Sequence, residues 1–420
     1  MANRPTHDLT NGHLDTCQIC GSKDLVPIIN FGHIAPCDSL LWPENLKESE
    51  SLYPLNLVRC KGCTLVQIDY VVDPSELFFP EYPYRSGITK TLVENLRSTG
   101  PEIVRRFGIE GDNLVVDIGS NDGTLLSGFK DIGMRVLGIE PTNIADIAND
   151  SGITTIKDFF TEELAKSVVS KRGHATIVTA ANMFAHVAQL GSLIRGVECL
   201  LRPGSIFVTE SHYVADLVET VQYDSIYHEH LKYYSLRSII ALFDFYDFTV
   251  VDVDRIPNYG GSIRVYAMKG KGRKVGEAVV KLLESEEKAG IHSNEYFANF
   301  VDRIKTSKLN LQKLVIDAQI KGEKVVGIGS PGRAATLLGY CRIDSEKMEY
   351  IAEQSTSLKL GLFMPGVHIP IVDEERLFRE QPKYAVMLSL HYWEPIAKNL
   401  RDKGLKSKIV LPLPDVKVLD

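Results

Sequence analysis

Long hydrophobic runs are missing from this chain. Nowhere do the ~20 uninterrupted apolar residues of a membrane-crossing helix follow one another, so no membrane partner is expected. The opening residues Met1-Ala2-Asn3-Arg4-Pro5-Thr6-His7-Asp8 lack the apolar core of a secretory leader, and the cytoplasm is the expected compartment. A surplus of positive charge is missing too: 47 Lys and Arg face 54 Asp and Glu, for a net charge of −7. A nucleic-acid partner calls for the opposite balance and is not expected. No internal repeat and no low-complexity tract appears. With 44% hydrophobic and 24% charged residues, the composition is that of a globular protein, which excludes a disordered chain, a collagen-like fibre and a coiled-coil rod. At 420 residues the chain is too long for one hydrophobic core, and about three domains are expected.

Seven cysteines is an odd count, and four of them form two C-x-x-C pairs, Cys17/Cys20 and Cys60/Cys63, with 39 residues between the pairs. In a cytosolic chain that spacing points to a metal, because each tight turn aims two thiolates at one ion. Gly21 and Gly62 supply the backbone freedom such turns need. A closed shell of four sulfurs leaves no place for substrate, so the expected ion is a structural Zn2+. Residues 1–75 carry five basic against nine acidic residues, the wrong sign for a nucleic-acid finger. Cys37, Cys199 and Cys341 are expected to be plain buried thiols.

Three regions follow from the pattern. Residues 1–78 are turn-rich and hold the cysteine pairs. Residues 79–270 open with a helical pattern over Thr89–Phe107. They then alternate helical segments with short apolar strands at Leu114–Ile118, Arg135–Ile139, Thr154–Ile156, Ala175–Ala180 and Ser205–Glu210. Residues 271–420 begin with a long amphipathic stretch, Val275–Lys321. Strands are expected there at Lys324–Ile328, Tyr350–Ala352, Ile369–Ile371, Tyr384–Leu388 and Ile409–Leu411. The expected class is α/β, with two parallel sheets.

The run Val115-Val116-Asp117-Ile118-Gly119-Ser120-Asn121-Asp122-Gly123 is a strand entering a glycine turn that opens a helix. Gly119 allows close approach of a ligand, and the helix N-terminus behind it favours polar or anionic groups. Glu140 ends the next strand, where an acid can accept both hydroxyls of a ribose. At the end of the third, Asp158-Phe159-Phe160 offers a carboxylate and a ring to an adenine, and Asn182 stands at the carboxyl end of the fourth. Together these resemble the S-adenosylmethionine-dependent methyltransferases of the Rossmann-like class. That resemblance implies S-adenosylmethionine as cofactor, held by Asp117, Gly119, Asn121, Asp122, Gly123, Glu140, Asp158, Phe159 and Asn182.

The segment Gln222–Ser235 packs Tyr227, His228, Glu229, His230 and further tyrosines into one short stretch. A metal site there lacks a third ligand at recognisable spacing, and acid–base chemistry suits the residue types better, since neutral imidazole accepts protons near pH 7 and an adjacent carboxylate can orient it. The segment resembles that of bacterial sugar C-methyltransferases, which methylate a carbon of a nucleotide-linked 4-keto-6-deoxysugar. Other stretches of this chain match the same family: the C-x-x-C pairs; Glu81-Tyr82-Pro83-Tyr84-Arg85-Ser86-Gly87; Ala180-Ala181-Asn182-Met183-Phe184-Ala185-His186-Val187; and, near the C-terminus, Thr336-Leu337-Leu338, Leu358-Lys359-Leu360-Gly361 and Met364–Pro370. The match runs from about residue 15 to 415.

The resemblance, to the C-3'-methyltransferase type with an N-terminal zinc domain, implies a Rossmann-like class I methyltransferase domain between a small zinc-binding domain and a second, smaller α/β domain. It implies a dTDP- or GDP-linked 4-keto-deoxysugar as substrate and methylation at C3. His230 is then the base, assisted by Tyr227, Glu229 and His186. A tyrosine of the Tyr82/Tyr84 pair, with Tyr84 preferred, serves the ketone oxygen. His228, Asn258, Arg333 and Lys359 are expected to touch substrate. Many family members have Lys-Gly-Asn where this chain has Arg333-Ala334-Ala335, which leaves the nucleotide open. The oligomeric state stays open as well, with a monomer the working expectation.

One rival comes from another reaction class. Gly327-Ile328-Gly329-Ser330-Pro331-Gly332 is a literal G-x-G-x-x-G after a strand, which would make the chain an NAD(P)-dependent oxidoreductase or epimerase. Pro331 removes a backbone donor from the turn, and Glu353 lies one residue beyond the expected second strand. A non-catalytic zinc scaffold is the remaining alternative.

Overall fold

The computed structural model describes residues 7–77, 87 and 90–420. A seven-stranded sheet forms the centre, in the order Thr155–Ile156, Arg135–Ile139, Leu114–Ile118, Ala175–Ala181, Leu201–His212, Ser262–Lys269, Phe248–Ile256. The first five pair in parallel, and Ser262–Lys269 runs antiparallel to both of its neighbours. This is the Rossmann-like class I methyltransferase fold. The chain reverses its progression between Leu114–Ile118 and Ala175–Ala181, which opens a crevice at the carboxyl ends of those strands.

The two strands after Leu201–His212 are absent from the pattern reading. Their outward positions carry charges that hide the apolar alternation, and in the folded chain those charges pair. Arg106 reaches Asp252 at 3.1 Å and Asp254 at 2.8 Å, and Arg264 reaches Glu210 at 2.9 Å.

The N-terminal region forms a four-stranded sheet in the order Leu25–Ile34, Tyr53–Cys60, Val66–Ile68, Lys232–Tyr233. Its last strand is borrowed from the methyltransferase domain: Lys232 pairs with Gln67 and Tyr233 with Val66. The Gln18 side chain donates to the Leu231 carbonyl at 3.1 Å, closing the same seam. The residues directly after His230 are therefore clamped into the N-terminal domain.

The stretch expected as one amphipathic segment is two helices, Glu277–Ala289 and Asn294–Ile320. Gly290 ends the first in a left-handed conformation, and the Ser293 hydroxyl caps the second by accepting from the Tyr296 amide. A six-stranded sheet follows in the order Ile371–Asp373, Ile351–Glu353, Val325–Ile328, Tyr384–Met387, Lys408–Leu411, Lys417–Leu419, with only the last strand antiparallel. Its switch point, between Val325–Ile328 and Tyr384–Met387, faces the crevice of the central sheet, because the loops from both line one cavity. No helix among the described residues is long and apolar enough to cross a membrane.

Candidate active site

That cavity has a volume of about 1180 Å³ and draws its walls from the N-terminal, central and C-terminal regions. On one side lie Asp117, Gly119, Ser120, Asn121, Glu140, Phe159, Phe160, Asn182 and Met183. Opposite them are His186, His212, Tyr227, Glu229 and His230, with Cys37 and Asp38 from the N-terminal region. Ser330–Arg333, Glu353, Lys359 and Ser389–Tyr392 close it from the C-terminal domain.

The glycine turn is built as a cradle. Gly119 has φ of 70°, and a Cβ there would come within 2.9 Å of the Met183 side chain. Only glycine keeps the turn open at this conformation. Asn121, also left-handed at φ 49°, donates its amide to Glu140 at 3.1 Å. Thr142 donates its amide and hydroxyl to the same carboxylate at 3.1 and 2.7 Å, which fixes the acid at the strand end. Asp117 accepts from the Thr179 hydroxyl at 2.6 Å, and burial pushes its carboxyl up to about 7. The Ser120 hydroxyl is buried with no hydrogen-bond partner among the described residues. An open cradle with a spare hydroxyl and a fixed acid fits the ribose and amino-acid ends of S-adenosylmethionine.

Three expected cofactor residues stand back from the wall. Asp122 accepts from the Gly87 amide at 2.7 Å and the Thr124 hydroxyl at 2.6 Å, so it shapes the turn. Gly123 caps the Thr124–Lys130 helix in a left-handed conformation. Asp158 is exposed and accepts from the Phe159 amide at 2.8 Å, leaving Phe159 and Phe160 to line the cavity.

His230 has a defined tautomer. Its Nδ1 lies 2.9 Å from the Ser225 carbonyl, which can only accept, so Nδ1 carries the hydrogen. The lone pair on Nε2 then accepts from the Tyr227 hydroxyl at 2.9 Å. Burial, reinforced by the Arg333 charge, pushes this imidazole down to about 4 and keeps it neutral. The orienting carboxylate expected beside His230 belongs elsewhere. Glu229 lies 4.0 Å from His186 Nδ1 and accepts from the Cys37 thiol at 3.2 Å, so Cys37 is a wall of the site rather than a plain core thiol. The His186 ring meets that of His230 edge-on at 4.6 Å, and burial holds it well below the usual histidine range.

The C-terminal domain pins this segment. Arg333 forms a buried ion pair with Asp224 at 2.6 Å, and the Thr336 hydroxyl donates to the Ile226 carbonyl at 2.7 Å. Arg333 also donates to His391 Nδ1 at 2.7 Å, while His391 Nε2 donates to Gln222 at 2.9 Å. Lys359 donates to the Ser330 carbonyl at 2.9 Å and approaches Asp38 at 3.4 Å. Glu353 is the last residue of its strand, not one beyond it, and accepts from the Ser330 amide at 2.8 Å. The acid missing from the pattern reading of the second glycine loop is thus present, because the strand extends one residue further than its apolar run.

Two expected substrate residues lie elsewhere. His228 donates to the Pro54 carbonyl at 3.2 Å and packs its ring against Tyr53, facing the N-terminal sheet, because the chain turns over Tyr227–His230, where the His230 amide donates to the Tyr227 carbonyl at 2.9 Å. Asn258 donates to Glu210 at 3.1 Å and accepts from Asn95 at 2.9 Å, and its neighbour Tyr259 lines the cavity instead. Tyr82 and Tyr84 lie outside the described residues. His212 and His391 were not anticipated. His212 is the last residue of Leu201–His212 and His391 lies four residues past Tyr384–Met387, both at the carboxyl side of their sheets where open α/β sheets bind ligands, and that signal was available.

The four N-terminal cysteines converge. Their sulfurs lie within 4.8 Å of one another, with Cys17–Cys63 and Cys20–Cys60 at 3.4 Å, near the ~3.8 Å edge of a tetrahedral zinc–thiolate cage. The Ile19 and Gly62 amides donate to Cys17 and Cys60 sulfurs at 3.4 and 3.3 Å, as thiolate knuckles require.

Comparison with known proteins agrees along the whole chain. Residues 17–78 match the family model described as "Putative zinc binding domain", residues 92–253 a methyltransferase domain, and residues 257–414 a C-methyltransferase C-terminal domain. C-methyltransferase NovU from Streptomyces niveus is 32% identical over 412 residues, covering 97% of each chain. Among solved structures, magnesium protoporphyrin IX methyltransferase from Synechocystis PCC 6803 with bound SAM is 14% identical over 42% of this chain and 79% of its own, with a TM-score of 0.32. The PH0226 protein from Pyrococcus horikoshii OT3 is 12% identical over 45% and 96%, with a TM-score of 0.36. These two add nothing to what the strand order shows. By its sequence relatives and its domain models, the chain belongs to the C-methyltransferase family and is an S-adenosylmethionine-dependent C-methyltransferase.

Proposed function

We propose that the enzyme methylates C3 of a nucleotide-linked 4-keto-deoxysugar through an enolate. The observation that carries this reading is the shared cavity: the Gly119 cradle, the neutral imidazole of His230 and the C-terminal loops all open into it. A sugar C–H carbon becomes a nucleophile only when a base removes its proton, and that proton is acidic only beside a carbonyl. A carbon-methylating site with a neutral imidazole therefore calls for a ketone substrate.

Bound in the Gly119 cradle, S-adenosylmethionine would supply an electrophilic methyl group for the enolate carbon, with the sulfonium sulfur as leaving group. Asp117, Asn121, Glu140, Asn182 and Phe159 would hold that cofactor. His230 Nε2 takes the C3 proton, and the substrate displaces the Tyr227 hydroxyl from that lone pair. Once protonated, Nε2 donates back to the phenol oxygen, since a phenol serves as donor or acceptor. Glu229 and His186 set the charge around this pair. Ser330–Arg333 and Lys359 face the pyrophosphate, with Glu353 placed for a ribose hydroxyl as Glu140 is in the central domain. The four cysteines would hold a structural zinc ion, which would fix the N-terminal sheet.

The test is exchange of the C3 hydrogen with deuterated solvent in the absence of methyl donor. The wild type should incorporate deuterium at C3 of a dTDP- or GDP-linked 4-keto-6-deoxysugar, and His230→Ala should abolish incorporation. Unchanged exchange in the variant would remove His230 as the base.

A further inference from the structure

His212 has no role in the mechanism above, yet it occupies the cavity wall at the carboxyl end of its strand. Its ring meets the His230 ring at 4.8 Å and 64°, so a group held against the base is also within reach of His212. The Tyr259 and His391 rings also lie near it, at 6.0 and 6.4 Å between centroids. Its Nε2 is buried and finds no hydrogen-bond partner among the described residues, and the adjacent Ser211 hydroxyl shares that condition. Buried polar atoms are nearly always paired, and two orphans side by side on a ligand cavity mark the place where a ligand supplies the partner.

We propose that His212 is a catalytic residue whose Nε2–H donates a hydrogen bond to the substrate ketone oxygen as that oxygen gathers charge. This rests on the enolate reading above. As the C3–H bond breaks, the proton goes to His230 Nε2, the bonding pair forms the C3–C4 double bond, and the carbonyl π pair moves onto the oxygen. His212 keeps its own proton throughout. Burial, with His230 and Arg333 close by, holds this imidazole well below its ordinary value, so it acts as a neutral donor. A cationic donor in the same place would depress the neighbouring base further, whereas a neutral N–H stabilises the oxyanion and spares the base.

The test uses the full-length enzyme with a dTDP-linked 4-keto-6-deoxyhexose, following C3 deuterium exchange without donor and methyl transfer with it. His212→Leu, which fills the space without a donor, should lower both the exchange rate and kcat by about 100-fold or more. KM for the sugar nucleotide and the thermal shift given by S-adenosylhomocysteine should stay within a few-fold of wild type. His212→Asn, which restores an N–H, should recover about tenfold or more of the loss. Wild-type exchange in His212→Leu would overturn the assignment while leaving the enolate reading in place. So would joint loss of exchange and S-adenosylhomocysteine binding that Asn does not rescue, the mark of a structural residue. If the wild type itself exchanges no C3 hydrogen, the enolate reading fails and His212's role fails with it.

Discussion

His230 is held neutral by its surroundings, and that sets how its activity should respond to acid. Desolvation brings it down to about 4 from an ordinary value of 6.5, with Arg333 acting in the same direction and the Ser225 carbonyl opposing both. The base form therefore persists through the range where a solvated histidine would already be charged. A profile of kcat/KM against pH should show no loss from this group between pH 7 and 5 and a fall only as pH approaches 4. His230→Asn should lower kcat by about 100-fold or more. An acid limb centred near 6.5 would instead mean that the imidazole is solvated in the working enzyme. The residues named from the Tyr-His-Glu-His motif divide on this scale. Tyr227, Glu229 and His230 reach the cavity and His228 does not, because the segment is a turn closed by the His230 amide on the Tyr227 carbonyl, and His228 points out of it toward Pro54 and Tyr53.

Among the elements, the short strand Lys232–Tyr233 does the most for the site. It begins two residues after His230 and is the outer strand of the cysteine-bearing sheet. The same N-terminal region contributes Cys37, whose thiol donates to Glu229. Removing zinc should therefore do more than destabilise a remote domain. Treatment with a strong chelator should lower the melting temperature and abolish C3 exchange, while the central sheet still binds S-adenosylhomocysteine by calorimetry. Re-addition of zinc should restore exchange, and exchange that survives demetallation would break this link. The C-terminal clamp works from the other side, through Arg333 with Asp224 and Thr336 with Ile226. The Gln222–Ser235 segment is held by two domains to which it does not belong.

For the whole molecule, five desolvated histidines give stability a pronounced dependence on pH. His186, His212 and His391 lie well below 6.5, and His228 and His230 lie near 4, in each case chiefly by burial. Below 6.5 the unfolded chain binds protons that the folded chain refuses, so stability is lost as pH falls from 6.5 toward 4. Each such proton is worth up to about 1.4 kcal/mol per pH unit. Asp117 acts in the opposite sense: raised to about 7 from 3.8, it holds a proton that the unfolded chain releases over that window. One proton against five leaves acid strongly destabilising. The melting temperature should drop steeply between pH 6.5 and 4.5, and a flat profile would show that the histidine cluster is open to solvent. Substrate entering the cavity should shift that profile, since a dianionic pyrophosphate near Arg333 favours protonation of the neighbouring imidazoles.

The amino-acid sequence by itself determined the features that rest on neighbours along the chain: the paired cysteine knuckles, the Gly119 turn with Glu140 one strand on, the strand–helix alternation, and the Tyr227–His230 motif. Each is encoded by spacing within a few residues, which backbone geometry converts directly into a turn, a strand end or a shared face. Only the tertiary structure decided that His212 and His391 join His230, that Glu229 answers to Cys37 and His186, that Glu353 closes the second glycine loop, and that Lys232–Tyr233 completes a foreign sheet. Those contacts join residues far apart in the chain. They exist because three apolar cores pack against one another and desolvate the polar groups caught between them, which no local pattern records.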